Sequence, residues 1–227
     1  MKSKKGSERP NYVIEVFLIM LKILKPNWLL SKGRYKEAVD GFKKIIKKCE
    51  NKIKVKNLIL FNIALCYSRM GEFEKSDQYL SEIDIKTMSE YFIWDHFILK
   101  AINIMLLGEE INEVDKYLEK ALTILRKKEF YPAEAYFYAL KGNNQECLNY
   151  IHMYLEFIDE RKLESFIKYS YKFDKFIYNV QNNFFIGVCY LKMNNWVIAK
   201  QYLKKACQCN YDNYFSRKSK ELLEAIN

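Results

Sequence analysis

The 227-residue sequence contains few of the side chains that bind metal ions. Its two histidines, His96 and His152, lie 56 residues apart, and its only closely spaced cysteines are Cys207 and Cys209. A structural zinc site usually takes its four ligands from two such close pairs. We therefore predict neither a metal site nor a bound cofactor.

Acidic residues provide no better basis for catalysis. Asp95 precedes His96, but adjacent residues on a helix point about 100° apart, so a packing or surface histidine is the better interpretation. Glu109 and Glu110 lie at a turn before a helix, where the helix dipole favours carboxylates. The sequence shows no glycine-rich phosphate loop and no serine hydrolase or zinc protease pattern. These observations favour a non-enzymatic protein.

The cysteines behave as small apolar residues rather than as disulfide partners. Cys66 and Cys189 lie in similar apolar stretches, Ala-Leu-Cys-Tyr and Val-Cys-Tyr, that are typical of helices. We expect the other four cysteines to be reduced as well. They are Cys49, Cys147, Cys207 and Cys209. Reduced thiols are typical of the cytoplasm, so we expect a cytoplasmic protein.

The overall composition predicts an all-α protein. Half of the residues are apolar and 29% are charged, but only 7 are Gly and 3 are Pro, which favours long helices joined by short connections. The formal charge of +10 comes almost entirely from lysine, and the six arginines are scattered. Nucleic-acid recognition draws heavily on arginine, so a solvated lysine surface is favoured over nucleic-acid binding.

A basic leader, residues 1–10, precedes an apolar stretch at residues 13–24 that resembles a signal peptide in outline. Glu15 and Lys22 interrupt this stretch, which is too short and too charged to span a bilayer. Its apolar residues recur every three or four positions, as on a helix face that docks against protein. Docking on a membrane surface is the alternative. The residues on this predicted face are Val13, Val16, Phe17, Met20, Leu21 and Leu24.

Five turns divide the chain into helical hairpins, at Gly33, Gly71, Gly108, Gly142 and Asn194. Before four of these turns, a small residue stands seven positions ahead and a large residue follows it three positions later. Such a small residue lets two helices approach closely, and the large one fills the space beside the crossing. The pairs are Ala64 with Tyr67, Ala101 with Ile104, Ala135 with Tyr138, and Gly187 with Tyr190.

This arrangement resembles the tetratricopeptide repeat family, whose unit is a 34-residue helix-turn-helix. The clearest units are residues 57–90 and 180–213. The five turns are separated by 38, 37, 34 and 52 residues, so we expect an irregular array. The resemblance implies a right-handed superhelical stack of antiparallel helix pairs, a TPR-like α-solenoid.

Within this stack we predict four segments. Residues 1–10 form a flexible leader, residues 11–158 a block of helical repeats, residues 159–179 an extra helical segment rich in Phe, Tyr and Lys, and residues 180–227 a last repeat with a capping helix. Pro26 lies in the first helix and should kink or break it, because proline removes a helical hydrogen bond.

The resemblance also implies a concave groove, lined by the first helices of successive units, that receives another protein. The corresponding residues are mainly apolar, which favours an amphipathic helix or apolar peptide. An equally open interpretation is that a tightly coiled stack buries them as core. The sequence leaves the oligomeric state open. The predicted groove residues are Leu58, Phe61, Leu65, Arg69, Ile98, Ile102, Met105, Tyr136, Phe184, Val188 and Lys192.

Overall fold

The computed structural model describes residues 9–49, 51–108, 111–125, 127–164, 174–208 and 212–226. Within these ranges the chain forms eleven α-helices and two short 3-10 helices, and it contains no β-strand. The fold of the described residues is thus all-α, as the composition predicts. The helices are α1 (Arg9–Ser31), α2 (Tyr35–Ile46), α3 (Ile53–Met70), α4 (Phe73–Ser81), α5 (Glu90–Leu107), α6 (Ile111–Ile124), α7 (Tyr131–Leu140), α8 (Asn144–Glu164), α9 (Asp174–Lys192), α10 (Trp196–Cys207) and α11 (Tyr214–Ala225).

The five predicted turns all occur, and each has the backbone conformation that such a turn requires. The turn residues have positive φ angles, of 70°, 87°, 75° and 73° at the four glycines and 59° at Asn194. A left-handed residue stops a helix and satisfies its last carbonyl groups. The turns therefore create five helical hairpins, from α1/α2 to α9/α10.

The hairpins pack in sequence order. The two helices of each hairpin contact each other, and α2 packs on α3, α4 on α5, α7 on α9 and α10 on α11. Most of the contacts between elements thus join neighbours along the chain, which is the pattern of a helical repeat protein. The right-handed superhelical twist stays a prediction.

Pro26 does not break the first helix, and the kink that was the other expectation stays a prediction. Helix α1 continues through Pro26 to Ser31. The proline ring is buried against Gly41 of α2, where a Cβ atom would stand only 2.7 Å from the Pro26 Cγ atom. Because Gly41 has no side chain, α2 approaches the proline closely, and this contact helps to offset the lost hydrogen bond.

The buried apolar residues form three clusters along the stack. One joins α1, α2 and α3, a second joins α3, α4 and α5, and the largest extends from α5 to α11. Within the largest cluster, Tyr136 of α7 stacks on Phe185 of α9 with ring centroids 5.1 Å apart. The helices on both sides of the predicted extra segment therefore share one core. Residues 165–173 of that segment lie outside the described residues.

The last helix returns to the first two hairpins. Asn213 donates a hydrogen bond of 3.2 Å to the Tyr35 hydroxyl, and Arg217 donates one of 2.9 Å to the carbonyl of Met70. The ring of Tyr214 meets Phe73 edge to face, with centroids 4.9 Å apart. Helix α11 thus contacts α3 as well as α9 and α10. Through this contact, the two ends of the array meet.

Candidate interaction surface

The predicted groove residues divide into a buried and an accessible group. Six of the eleven are at most 9% exposed, and the others are partly or fully accessible. The buried group consists of Arg69, Ile98, Ile102, Met105, Tyr136 and Phe184, and the accessible group of Leu58, Phe61, Leu65, Val188 and Lys192. Much of the predicted groove is therefore filled from within the chain.

Aromatic rings provide part of this filling. Phe215 of α11 is fully buried and lies 5.4 Å from the ring of Phe184 and 5.7 Å from that of Phe185. Tyr136 stacks on Phe185, and burial raises the pKa of its hydroxyl to about 12. Edge-to-face and offset-stacked rings of this kind add to the stabilisation that area burial provides. Helices α9 and α11 thus occupy the space that an external partner would need in this part.

Arg69 also contacts the helices that fill this part of the predicted groove. Its side chain is 4% exposed, donates a hydrogen bond to Gln181 of α9, and places its guanidinium carbon 5.4 Å from the centroid of the Phe215 ring. A buried charge is stable only when hydrogen bonds and nearby charges or rings compensate it. Arg69 therefore joins α3 to α9 and α11 and is inaccessible to a partner.

Three of the five accessible residues lie along α3, whereas Val188 and Lys192 lie on α9. Leu58, Phe61 and Leu65 are spaced three and four residues apart, so they share one face of the helix. The Phe61 ring lies 5.0 Å from that of Phe92 on α5, and Asn62 donates a 3.1 Å hydrogen bond to Asn27 on α1. We call Leu58, Phe61 and Leu65 the α3 stripe. It forms a half-buried apolar strip between the first and third hairpins.

Most of the large apolar side chains that are exposed in the described part of the chain lie on α1, and they include most of the predicted docking face. Ile19, Ile23, Pro26 and Leu29 of α1 are buried against the rest of the chain. Val13, Phe17, Met20, Leu21 and Leu24, which were predicted to dock against protein, are between 41% and 64% exposed, and Val16 is partly buried. The spacing could not choose between faces, because α1 is apolar nearly all round.

We call this exposed side of α1 the α1 face. At about 100° per residue it covers a sector about 160° wide, and it is about 22 Å long at about 1.5 Å per residue. Lys22 and Lys25 border it on one side, and Trp28 lies at its C-terminal end. The α1 face consists of Val13, Ile14, Phe17, Leu18, Met20, Leu21, Leu24 and Trp28.

The charge next to the α1 face is positive. Glu15 is the only acidic residue of α1, and its carboxylate forms a 2.8 Å ion pair with Lys52. The hydrogen bond that the Lys52 ammonium donates to this carboxylate raises the pKa of Lys52, and the same ammonium lies 5.8 Å from the centroid of the Tyr12 ring. The negative charge of Glu15 is thereby neutralised locally, while Lys22 and Lys25 stay exposed.

The net charge of the chain is concentrated at this end. Residues 1–56 carry 16 of the 38 Lys and Arg side chains but only 5 of the 28 Asp and Glu, a net charge of +11. Residues 57–227 carry the other 22 basic and 23 acidic side chains, a net charge of −1. Such asymmetry between parts of a chain is typical of proteins that bind a negatively charged partner.

His96 is a buried titratable group that lies apart from these two surfaces. His96 is 4% exposed, and burial, followed by the nearby charge of Lys100, lowers its pKa to about 4, although Asp77 acts in the opposite direction. In the described part of the chain, no group of three or more His, Cys, Asp or Glu side chains could hold a metal ion. Among the same residues, none of the helices combines the length and apolarity needed to cross a membrane.

Comparisons with known proteins place few limits on the function. Neither a family model nor a curated protein matches the sequence. Among solved structures, the chain is similar to one titled crystal structure of MamA protein, with 14% sequence identity and a TM-score of 0.47, over 89% of this chain and 94% of that chain. Membership of the tetratricopeptide repeat family stays a prediction.

Proposed function

We propose that this protein is a non-enzymatic interaction scaffold that binds an apolar peptide or an amphipathic helix of another protein along the α3 stripe. The observation that carries the proposal is the accessibility of this stripe within a predicted groove that is otherwise largely filled. Leu58, Phe61 and Leu65 present apolar side chains at helical spacing, which suits a partner that is recognised by burial of its own apolar face.

The character of the stripe also favours one class of partner. Its three residues are uncharged, and Asn62 beside them is already hydrogen-bonded to Asn27. Binding there would therefore depend on apolar area and shape rather than on ion pairs. The described cysteines Cys49, Cys66, Cys147, Cys189 and Cys207 are free thiols, which suits the cytoplasmic location that we propose.

The test is a selection of peptides displayed on phage against the immobilised protein, followed by affinity measurements on the variants Leu58→Asp and Phe61→Asp. We expect the selected peptides to be apolar or amphipathic and to bind each variant at least about tenfold more weakly, because a buried carboxylate costs more than about 1.4 kcal/mol. Circular dichroism should show that both variants stay helical.

Two control variants distinguish a loss of peptide binding from a general effect of added charge and from unfolding. Val197→Asp changes a 72% exposed residue on α10 and should leave peptide affinity unchanged. Ile102→Asp changes a residue that is 3% exposed and should unfold the protein. If Leu58→Asp and Phe61→Asp unfold the chain in the same way, the α3 stripe is core and the proposal fails. Undiminished peptide binding by both folded variants would contradict it equally.

A further inference from the structure

We propose that the α1 face docks this protein on the surface of an anionic lipid bilayer. Two properties lead to this inference, the apolar area that α1 exposes and the positive net charge of residues 1–56, which include α1. The proposal concerns a different surface and a different class of partner from the α3 stripe. Either proposal can therefore fail without the other.

The exposed area is larger than an isolated protein would leave in water. Eight large side chains that are each about half exposed offer on the order of 800 Å² of apolar surface, whereas the largest patch on a soluble monomer is typically about 300–600 Å². Along the centre of the face, Val13, Phe17 and Leu21 follow one another every four residues, and Glu15, which lies between them in the sequence, points to another side of the helix. A surface of this size indicates that something covers it.

The charge distribution indicates what covers it. The net charge of +11 lies in residues 1–56, which include α1, α2 and the start of α3. Many of the lysines in this part are exposed, and long lysine side chains can lie along an apolar surface while their ammonium groups reach lipid phosphates. An interfacial helix that binds anionic lipid combines such lysines with Trp, Phe and Leu. The exposed lysines are Lys22, Lys25, Lys32, Lys36, Lys44, Lys47, Lys48 and Lys54.

The same charge argues against a second copy of the chain as the occupant. Two α1 faces brought together would place two segments of charge +11 against each other. Like charges across an interface are destabilising and are only partly screened within the Debye length of about 8 Å at physiological salt. The area alone would suit a dimer, since a standard interface buries about 800 Å² per partner. The charge, however, favours an anionic surface.

The packing of α1 also determines its orientation on a bilayer. Ile19, Ile23 and Leu29 hold the opposite side of α1 in the protein core. The helix would therefore lie parallel to the bilayer, with Phe17, Leu21 and Leu24 among the acyl chains and the rest of the protein in water. Trp28, at the end of the face, would lie near the headgroups, where tryptophan is enriched.

The experiment is flotation of the full chain with vesicles of phosphatidylcholine containing about 30% phosphatidylserine, compared with vesicles of phosphatidylcholine alone, at about 0.15 M salt. We expect the protein to float with the anionic vesicles and to bind the neutral ones at least about tenfold more weakly. Raising the salt to about 0.5 M should weaken binding further, because it screens the lysines.

Variants of exposed residues test each contribution without disturbing the core. The double variant Phe17→Asp/Leu24→Asp should lose at least about tenfold in binding, and Lys22→Glu/Lys25→Glu should lose a similar amount. The matched controls are Tyr91→Asp/Val197→Asp for the apolar pair and Lys204→Glu/Lys220→Glu for the charged pair. All four control residues are exposed and lie outside residues 1–56, so these variants should bind as the unaltered chain does.

Tryptophan fluorescence provides a second measurement that reports on the contact itself. Trp28 and Trp196 are 50% and 49% exposed, whereas Trp94 is 1% exposed. Anionic vesicles should shift the emission to shorter wavelength in the unaltered chain and in Trp196→Phe, but not in Trp28→Phe.

Three outcomes would overturn the proposal. The first is failure to float with anionic vesicles, and the second is flotation that the Phe17→Asp/Leu24→Asp variant leaves unchanged. The third is a concentration-dependent dimer in analytical ultracentrifugation that this variant dissociates, without any flotation. That last result would assign the α1 face to a second copy.

Discussion

The two terminal helices of the array differ in how their outer faces are composed. Helix α11 buries Phe215, Ser216 and Ser219 and turns charged residues outward, including an ion pair of 2.7 Å between Lys218 and Glu221. Helix α1 buries one apolar side and exposes another. End repeats of a helical array need a polar outer face for solubility. The comparison supports the proposal that the α1 face docks on another surface, whereas α11 already presents charged residues to solvent.

The two terminal helices also differ in the contacts that they make with the rest of the chain. Asn213 caps α11, since its side chain accepts a hydrogen bond of 2.9 Å from the Phe215 amide, and it also donates to Tyr35. Helix α1 packs mainly on α2 and has no acidic residue in its first turn. We therefore expect changes in α11 to affect stability and changes on the α1 face to affect binding.

The largest difference should come from truncating a phenylalanine at each end. Phe215→Ala removes a fully buried ring and should lower the free energy of unfolding by about 3–5 kcal/mol. Phe17→Ala changes a residue that is 60% exposed and should alter it by about 0.5 kcal/mol or less. Urea denaturation measures both. A loss of several kcal/mol from Phe17→Ala would mean that the α1 face is covered within the monomer.

The next largest effect should appear where α11 contacts the second hairpin. A Cβ atom on Gly71, which has a φ of 87°, would lie 2.6 Å from the Tyr214 ring, so Gly71→Ala combines backbone strain with a clash and should cost about 2–4 kcal/mol. Gly108 has a similar φ of 75° but nothing within 4 Å of such an atom, and Gly108→Ala should cost about 1 kcal/mol. Thermal unfolding of the two variants compares them. Equal losses of stability in the two variants would show that the Tyr214 ring of α11 does not clash with a side chain at position 71.

A smaller effect should come from His96 on α5, which lies at neither end of the array and makes the stability of the protein depend on pH. His96 has its pKa lowered to about 4, against about 6.5 in an unfolded chain, so the unfolded state binds more protons between these values. The stability that neutral His96 provides is thus complete above pH 6.5 and is lost as the pH falls towards 4. The unaltered chain should lose about 2 kcal/mol more than His96→Leu between pH 7.5 and pH 5. Equal losses would refute this assignment.

The smallest effect should come from the cap of α11. Asn213→Ala removes the cap and the link to Tyr35 and should cost about 1–2 kcal/mol. Tyr35→Phe removes only the hydroxyl and should cost about 1 kcal/mol. Urea denaturation of both variants separates the cap from the link. If neither variant changes stability, α11 is held by its apolar contacts alone.

Local features of the fold could be predicted from the sequence because they depend on short-range chemistry. The turns at Gly33, Gly71, Gly108, Gly142 and Asn194 need a residue that tolerates positive φ, and the residue type reports this directly. The continuity of α1 through Pro26 could not be predicted in the same way. It depends on Gly41, fifteen residues away, which accepts the proline ring.

The candidate site was predicted less completely than the fold. The resemblance to the tetratricopeptide repeat family placed Phe61 and Ile102 in the same predicted groove, but it could not tell that one stays accessible and the other is buried. Periodicity, in turn, could not tell which side of α1 the rest of the chain covers, because a helix that is apolar nearly all round has no preferred face in its sequence.

By itself, the sequence determined the all-α class, the positions of the five turns and the excess of positive charge in residues 1–56, since each depends on residue type and local spacing. Tertiary structure alone decided which apolar faces are covered. The hydrogen bond from Arg69 to Gln181 joins residues 112 apart, and that from Asn213 to Tyr35 joins residues 178 apart. Such contacts depend on how successive hairpins are rotated against one another, and no local pattern specifies that rotation.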